Sequence, residues 1–328
     1  MDGPTPTRVL TPLDVVQARI AARPPLGRVE TVPLADAVGR VLAEAVRAAA
    51  AVPPRPLARR TGIAVRAEET LGASPYAPAA LTLAAPVAAG EALPEGADAV
   101  LPAEAVERSG ALATASEAAA PGDGAVRAGA DLPAGTVVLR AGRVLAPADL
   151  AVAEAAGCTR LSVRARPRVA VHLAGAVGTM LRAAVGTPDA EGGADLVIAP
   201  ADGIPRLAAR PIEQAALDLD ADPPVLLLPE GAAAWLGWLA LGAPLIRRLA
   251  GCPEPGTTPA RLARRIASAV GFADLVLVRL DGEAAEPLAA PDAPTLAALA
   301  EADGIVVLPP ASEGLPAGAP VSVQRFRS

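Results

Sequence analysis

Gly90-Glu-Ala-Leu-Pro-Glu-Gly-Ala-Asp-Ala-Val-Leu-Pro-Ala-Glu104 is the stretch that decides how the chain is read. Pro94 and Gly96 mark a turn, Ala97 to Leu101 is apolar enough for a short buried strand, and Glu104 stands just beyond it. Around this stretch, from Val52 to Gly142, proline and glycine are dense. Short alternating runs recur there, such as Leu81-Thr82-Leu83 and Thr136-Val137-Val138-Leu139. Short strands with frequent turns predict a small β domain, here residues 52–137.

Upstream, Thr11-Pro12-Leu13-Asp14 predicts a helix start, and Leu13, Val16 and Ile20 recur on one helical face until Pro24-Pro25. A second helix is predicted from Pro33, with Leu34, Val38, Val41, Leu42 and Ala45 as its buried stripe. Helical spacing returns at Pro147 to Ala156, closed by Gly157 and followed by a strand at Leu161-Ser162-Val163. The simplest arrangement is an elongated helical domain, residues 8–51 and 138–165, with the β domain inserted into it. Beyond it, Arg168-Val-Ala-Val-His-Leu173, Ala194 to Ala199 and Pro224 to Pro229 alternate with helix-like stretches, the last from Ala232 to Leu249. That pattern predicts an α/β domain with a parallel sheet over 166–251. Leu275 to Leu280 and Gly304 to Leu308 predict a C-terminal β domain over 252–328. The fold class is multidomain α/β.

Composition excludes several function classes. The chain has 328 residues, 52% of them apolar but only 2% aromatic, so its cores rest on Leu, Val, Ile and Ala. It contains neither Lys nor Asn, so all 29 basic groups are Arg, and the net charge is −6. Nothing in that charge or its placement suggests nucleic acid. Cys158 and Cys252 lie far apart without a C-x-x-C, which predicts neither a zinc site nor a disulfide framework. The start lacks the regions of a signal peptide, and the apolar run Ala232 to Leu245 is broken by Gly237, Gly242 and Pro244. A cytoplasmic protein without a membrane segment is expected.

The P-x-G-A-D-A-V pattern of 94–100 with Glu104 resembles the molybdopterin molybdenumtransferase family, which includes the gephyrin E domain. Val32 to Glu44 is similar to that family's A-x-G-R-V-L-A-E segment. Val126 to Asp131 and Gly142 to Pro147 resemble its return into the first domain, Arg166 to Val171 its first strand of the third domain, and Leu299 to Leu308 with Gly314 to Gly318 its fourth domain. The resemblance implies four domains, elongated dimers, and insertion of molybdate into adenylylated molybdopterin with Mg²⁺.

The family's polar site residues are largely replaced. Its P-P-F-D-x-S-x-M-D-G-Y-A loop reads Pro53-Pro-Arg-Pro-Leu-Ala-Arg-Arg-Thr-Gly-Ile-Ala64, so the Ser falls at Ala58, the Asp at Thr61 and the Tyr at Ile63. T-G-A reads Ala89-Gly90-Glu91, G-E-D reads Gly122-Asp123-Gly124, and T-G-D-E-L reads Ala174 to Gly178. The G-G-x-S-x-G loop is reduced to Pro200 to Pro205, and L-P-G-N-P reads Leu228 to Ala232. The third domain reads as shortened. A hard divalent cation needs carboxylate or carbonyl oxygens, and the acids expected at Thr61, Gly124, Ala176 and Val177 are absent. The resemblance thus implies molybdopterin as the ligand, while the missing acids argue against Mg²⁺ and molybdate chemistry.

Candidate ligand-binding residues are Arg59, Arg60, Gly62, Gly90, Asp98, Gly175 and Asp202. Arg59-Arg60 reads either as a fork for phosphate or carboxylate, or as a solvated loop. Gly62, Gly90, Gly96 and Gly175 keep the backbone bends. Asp98 reads as a turn cap. Thr61, at the Asp position, and Glu104, a retained acid, are the remaining catalytic candidates. Asp189, Glu191, Asp195 and Asp202 form an acidic cluster that reads as charged loop ends. His172 reads as a strand-end residue, and Trp235 and Trp238 as packing or subunit contacts. The expected function is molybdenum cofactor biosynthesis or handling by a catalytically impaired member that binds molybdopterin or a maturation partner. The alternatives are a non-catalytic interaction scaffold that binds no cofactor and pairs with itself or an active paralogue, and an active enzyme with a rearranged site using Glu104 and Asp202; the expected partners are a second copy, an active paralogue or a molybdoenzyme.

Overall fold

The computed structural model of the protein describes residues 9–110, 112–186 and 193–326. The chain forms two compact units, one running from Val29 to Val163 and the other joining the residues up to Arg28 with those from Arg164 onward.

In the 29–163 unit the inserted β region takes the expected form of short antiparallel strands. Gly62–Val65 pairs with Ala85–Val87 on one side and Ala99–Leu101 on the other. Leu112–Ala115 pairs with Ala79–Leu81 and Val106–Ser109, and Leu57–Ala58 pairs with Ala125–Val126. The remainder of the unit departs from the expected helical domain. Among its described residues the one α-helix is Pro147–Ala155. The helix expected from Pro33 is a single 3-10 turn, Leu34–Asp36, ended by Gly39 in a left-handed conformation with φ of 74°. Past that glycine, Val41 and Leu42 are extended and bridge Val144 and Val163. Both are buried as neighbours, 2% and 1% exposed, which two adjacent residues achieve when each faces a different strand. The apolar spacing fits a helical stripe as well, and tertiary pairing decides between them.

Helix Pro147–Ala155 is held by Asp149, which is 4% exposed. Its Oδ2 accepts from the Ala146 amide at 2.9 Å and from Arg143 Nε at 2.9 Å. This is half of a capping box, since Ala146 has no side-chain acceptor to reciprocate. Burial pushes the Asp149 carboxyl up, but the Ala146 amide and the Arg143 guanidinium outweigh it and hold it below its ordinary 3.8. A carboxylate whose folded pKa is depressed stabilises the fold above its unfolded pKa and ceases to do so as pH falls through the folded value. Acid titration of Asp149→Asn is expected to show a shallower loss of stability below about pH 4 than the parent. Identical acid limbs, followed by circular dichroism, would show that the cap carries no linked proton.

In the other unit, helix Leu13–Ala22 buries Leu13, Val16 and Ile20 as the spacing indicates. It packs against helix Ala243–Ala250, with the Leu26 amide donating to Leu249 O at 2.8 Å. The α/β layer has three parallel strands, Val169–Val171, Leu196–Pro200 and Val225–Leu228. Its fourth strand, Ala216–Asp218, is antiparallel to the last of these, so the sheet is mixed instead of purely parallel. Helix Gly175–Val185 follows the first strand. After the third strand, a helical run from Ala232 to Ala250 includes a π turn at Trp238–Gly242. Pro244, without an N–H, cannot donate to the Ala240 carbonyl four residues back, and Gln17 Nε2 approaches that oxygen at 3.4 Å.

The expected C-terminal β domain is a closed barrel. Ala273–Asp281 pairs with Ala284–Pro287, which pairs with Thr258–Leu262, then Pro320–Arg325, then Gly304–Leu308, which pairs back to Ala273–Asp281. Val276 and Val278 face the barrel interior with Leu262, Val306 and Val323, while Leu275 and Leu277 face the core shared with the α/β layer. Alternation on one long strand thus serves two cores. Leu207–Arg210 extends the sheet beside Ala273–Asp281, and Arg210 lies opposite Asp274 in that register.

Candidate functional site

Three loops of the 29–163 unit meet at one end of the small sheet. They are residues 58–62, 88–91 and 122–124, the positions where the sequence aligns with three of the family's site motifs. Backbone hydrogen bonds tie them together. The Arg59 amide donates to Gly124 O at 2.8 Å, the Gly90 amide to Ala58 O at 2.8 Å, and the Val100 amide to Asp123 O at 2.8 Å. Gly90, with φ of 87°, makes the left-handed turn of its loop. Gly62 serves a different need, because a Cβ there would lie 2.2 Å from Leu101 O in the paired strand. The antiparallel register Ile63↔Leu101 sends the residues after Leu101 out at the end where the 59–61 loop enters.

The side chains at this end are unevenly engaged. Arg60 donates to Val100 O from Nε at 3.1 Å and from Nη2 at 2.6 Å. That guanidinium lies beside Gly124, where a Cβ would stand 2.8 Å from Arg60 Nε and 2.6 Å from Val100 O. In the aligned motifs the family's Met falls at Arg60 and its Asp at Gly124, so an arginine here occupies the place of a carboxylate. Thr61 spends its Oγ1 accepting from the Ala89 amide at 3.2 Å. Glu91 and Asp123 fold back on their own loops, accepting from Ala88 N at 2.8 Å and Ala120 N at 2.7 Å. Arg59 and Glu104 are exposed and their side chains have no hydrogen bond or ion pair among the described residues. The Arg60 Nη1 group is likewise unbonded.

Several expected site residues have other work. Asp98 Oδ1 accepts from the Ala67 amide at 2.7 Å and starts the 3-10 turn Ala67–Thr70. Gly175 and Asp202 belong to the other unit. Gly175 opens helix Gly175–Val185 with φ of 66°, and no acid stands in that first turn. Asp202 forms a two-pronged pair with Arg206, both bonds 2.5 Å, and is 48% exposed. The Arg206 bond, with help from the Ile204 amide, holds its carboxyl far below the ordinary range. The acidic cluster does not assemble from its described members. Asp195 accepts from Arg28 and from the Arg168 amide, apart from the Asp202 pair, and Asp189 and Glu191 lie outside the described residues. His172 is exposed just past strand Val169–Val171. Trp238 is 5% exposed, and Trp235 packs edge-on to Phe326 with ring centroids 5.9 Å apart, both as packing residues.

What sequence reading missed is the coupling of Arg60 to Gly124. The signal was present as two departures from the family motifs, far apart in sequence, one gaining a positive charge at Arg60 and the other losing a negative one at Gly124. It also missed the pair of Arg210 and Asp274, since an acid flanking an apolar run reads as a strand end.

These loops and the barrel-bearing unit define a molybdopterin-biosynthesis class of fold, and the comparisons agree. Residues 11–157 match the MoeA N-terminal region (domain I and II), and residues 259–326 match the MoeA C-terminal region (domain IV). The chain belongs to the MoeA family. Molybdopterin molybdenumtransferase 2 from two strains of Mycobacterium tuberculosis, CDC 1551/Oshkosh and H37Rv, is 36% identical over 159 residues. That match spans 43% of this chain and only 39% of the relative's length. Two crystal structures of the molybdopterin biosynthesis MoeA protein of Pyrococcus horikoshii superpose with TM-scores of 0.77 and 0.82 at 23% and 24% identity, covering 97% and 98% of this chain and all of theirs. A molybdenum cofactor biosynthesis protein from Pyrococcus furiosus gives a TM-score of 0.64 at 18% identity. The structural likenesses establish the fold.

Proposed function

We propose that this protein serves molybdenum cofactor biosynthesis by binding molybdopterin in its adenylylated form at the three-loop cluster, without inserting molybdate. The observation that carries the reading is the arginine in the place of a carboxylate: Arg60 fills the space beside Gly124 while hydrogen-bonded to Val100 O. A phosphate-bearing ligand finds donors there in Arg59 and in the unbonded Nη1 of Arg60, and guanidinium groups suit phosphate oxygens.

A divalent cation fits poorly. Magnesium requires oxygen ligands in near-octahedral geometry, usually one or two carboxylates with substrate phosphates. At this cluster Thr61 and one oxygen each of Glu91 and Asp123 accept from loop amides, and the Arg60 guanidinium stands beside Gly124, where the family's acid falls. Among the described residues no group of three His, Cys, Asp or Glu is placed to hold a metal. The residues present bind and orient an anion. We place the protein in the cytoplasm as a homodimer that passes its ligand to an active paralogue or a molybdoenzyme.

Release of AMP from adenylylated molybdopterin, with molybdate and Mg²⁺ supplied, tests the loss of catalysis. AMP at the rate of the protein-free control is expected. Multiple turnovers that disappear in Glu104→Gln would overturn the reading in favour of a rearranged active site.

A further inference from the structure

A cavity lies in the other unit, with a volume of about 410 Å³, within the range of small-molecule sites. Helix Leu13–Ala22 and the helical run ending at Ala250 form two walls, and the barrel strands Gly304–Leu308 and Pro320–Arg325 form a third. Its floor is apolar, with Ile20 and Ile305 3% and 1% exposed. Its rim is charged. Arg247 and Arg325 are both exposed, and neither side chain makes a hydrogen bond or ion pair among the described residues. Glu254, also on the rim, pairs with neither. By contrast, Arg264 beside the other barrel groove is already engaged by Pro287 O and Glu286.

We propose that this cavity binds a small organic monoanion, a carboxylate carrying an apolar body. The apolar part would cover Ile20 and Ile305, and the carboxylate would take the two unengaged guanidinium groups. Two arginines against one glutamate leave a single positive charge to be matched, which selects a monoanion over a dianion. Binding here is independent of the three-loop cluster.

The chain itself supplies a selective probe. It has three glutamines, Gln17, Gln214 and Gln324, and no asparagine, so its side-chain amide spectrum holds three NH₂ pairs. Gln17 and Gln324 line the cavity and Gln214 does not. Titration of the ¹⁵N-labelled full chain with 4-phenylbutyrate, with Gln214→Ala to assign the third pair, is expected to move the Gln17 and Gln324 amides saturably and leave Gln214 in place. The neutral 4-phenylbutyramide, and the variant R247Q/R325Q titrated with the acid, are each expected to bind about tenfold more weakly or worse. Absence of shifts at millimolar ligand, equal movement of all three pairs, or equal affinity for acid and amide would overturn the proposal.

Discussion

Asp274→Ala is expected to destabilise the unit that holds the barrel by about 3–5 kcal/mol, the cost of breaking a buried ion pair by removing one partner. Asp274 is fully buried, and its two oxygens accept from Arg210 Nε at 2.7 Å and Nη2 at 2.6 Å. The guanidinium also stands over the Phe272 ring, 5.9 Å from its centre. The bond to Asp274, against the opposing effect of burial, raises the Arg210 pKa, and a guanidinium keeps its proton in proteins, so the arginine stays charged when its partner is gone. Its side chain is only 20% exposed, too little for water to replace the carboxylate. The double variant Arg210→Met/Asp274→Leu is expected to recover most of the loss, because an apolar pair leaves no buried charge behind. Both tryptophans, Trp235 and Trp238, lie in this unit, so denaturant titration followed by their fluorescence reads its unfolding. A loss under about 1 kcal/mol for Asp274→Ala would mean the pair is solvated in solution.

Gly124→Asp restores the acid of the family motif and is expected to cost about 2–3 kcal/mol through overpacking and strain. The new Cβ would meet Val100 O at 2.6 Å, a backbone atom that cannot swing aside, and Arg60 Nε at 2.8 Å. The φ of 66° adds a left-handed conformation that a side chain adopts at some cost. Arg60→Met alone removes two bonds to Val100 O and is expected to cost about 1 kcal/mol. Together the two changes are expected to cost at least about 1 kcal/mol less than their sum, since residues in contact couple by that order. Scanning calorimetry of the full chain measures this, since both tryptophans lie outside the 29–163 unit. Strict additivity would separate Arg60 from the Gly124 position and remove the basis for reading them as one exchange.

The fold was legible where a turn residue and a periodic run agreed. Gly96 and the apolar run after it marked a strand, which forms over Ala99–Leu101 instead of from Ala97, and Leu13, Val16 and Ile20 marked a helix face. Reading failed at Pro33 to Ala45, where an apolar spacing suited to a helix meets a glycine that must turn left-handed. It also failed at strand Ala216–Asp218, whose half-exposed residues carry no period to distinguish a parallel from an antiparallel neighbour. At the candidate site the sequence placed the three motifs but not their internal bonding. Thr61, Glu91, Asp98 and Asp123 look equally available as letters, and only the loop geometry shows that one oxygen of each accepts from a backbone amide. Arg59 and Arg60 look equivalent too, yet one is clamped to Val100 O and the other is unengaged.

The most direct test is a calorimetric titration of the full chain with adenylylated molybdopterin, first in EDTA and then with Mg²⁺. Binding in the micromolar range, unchanged by the metal and weakened about tenfold or more in Arg59→Ser/Arg60→Met, is the expected result. Binding that requires Mg²⁺, or that is indifferent to both arginines, would contradict an arginine-built, metal-independent site.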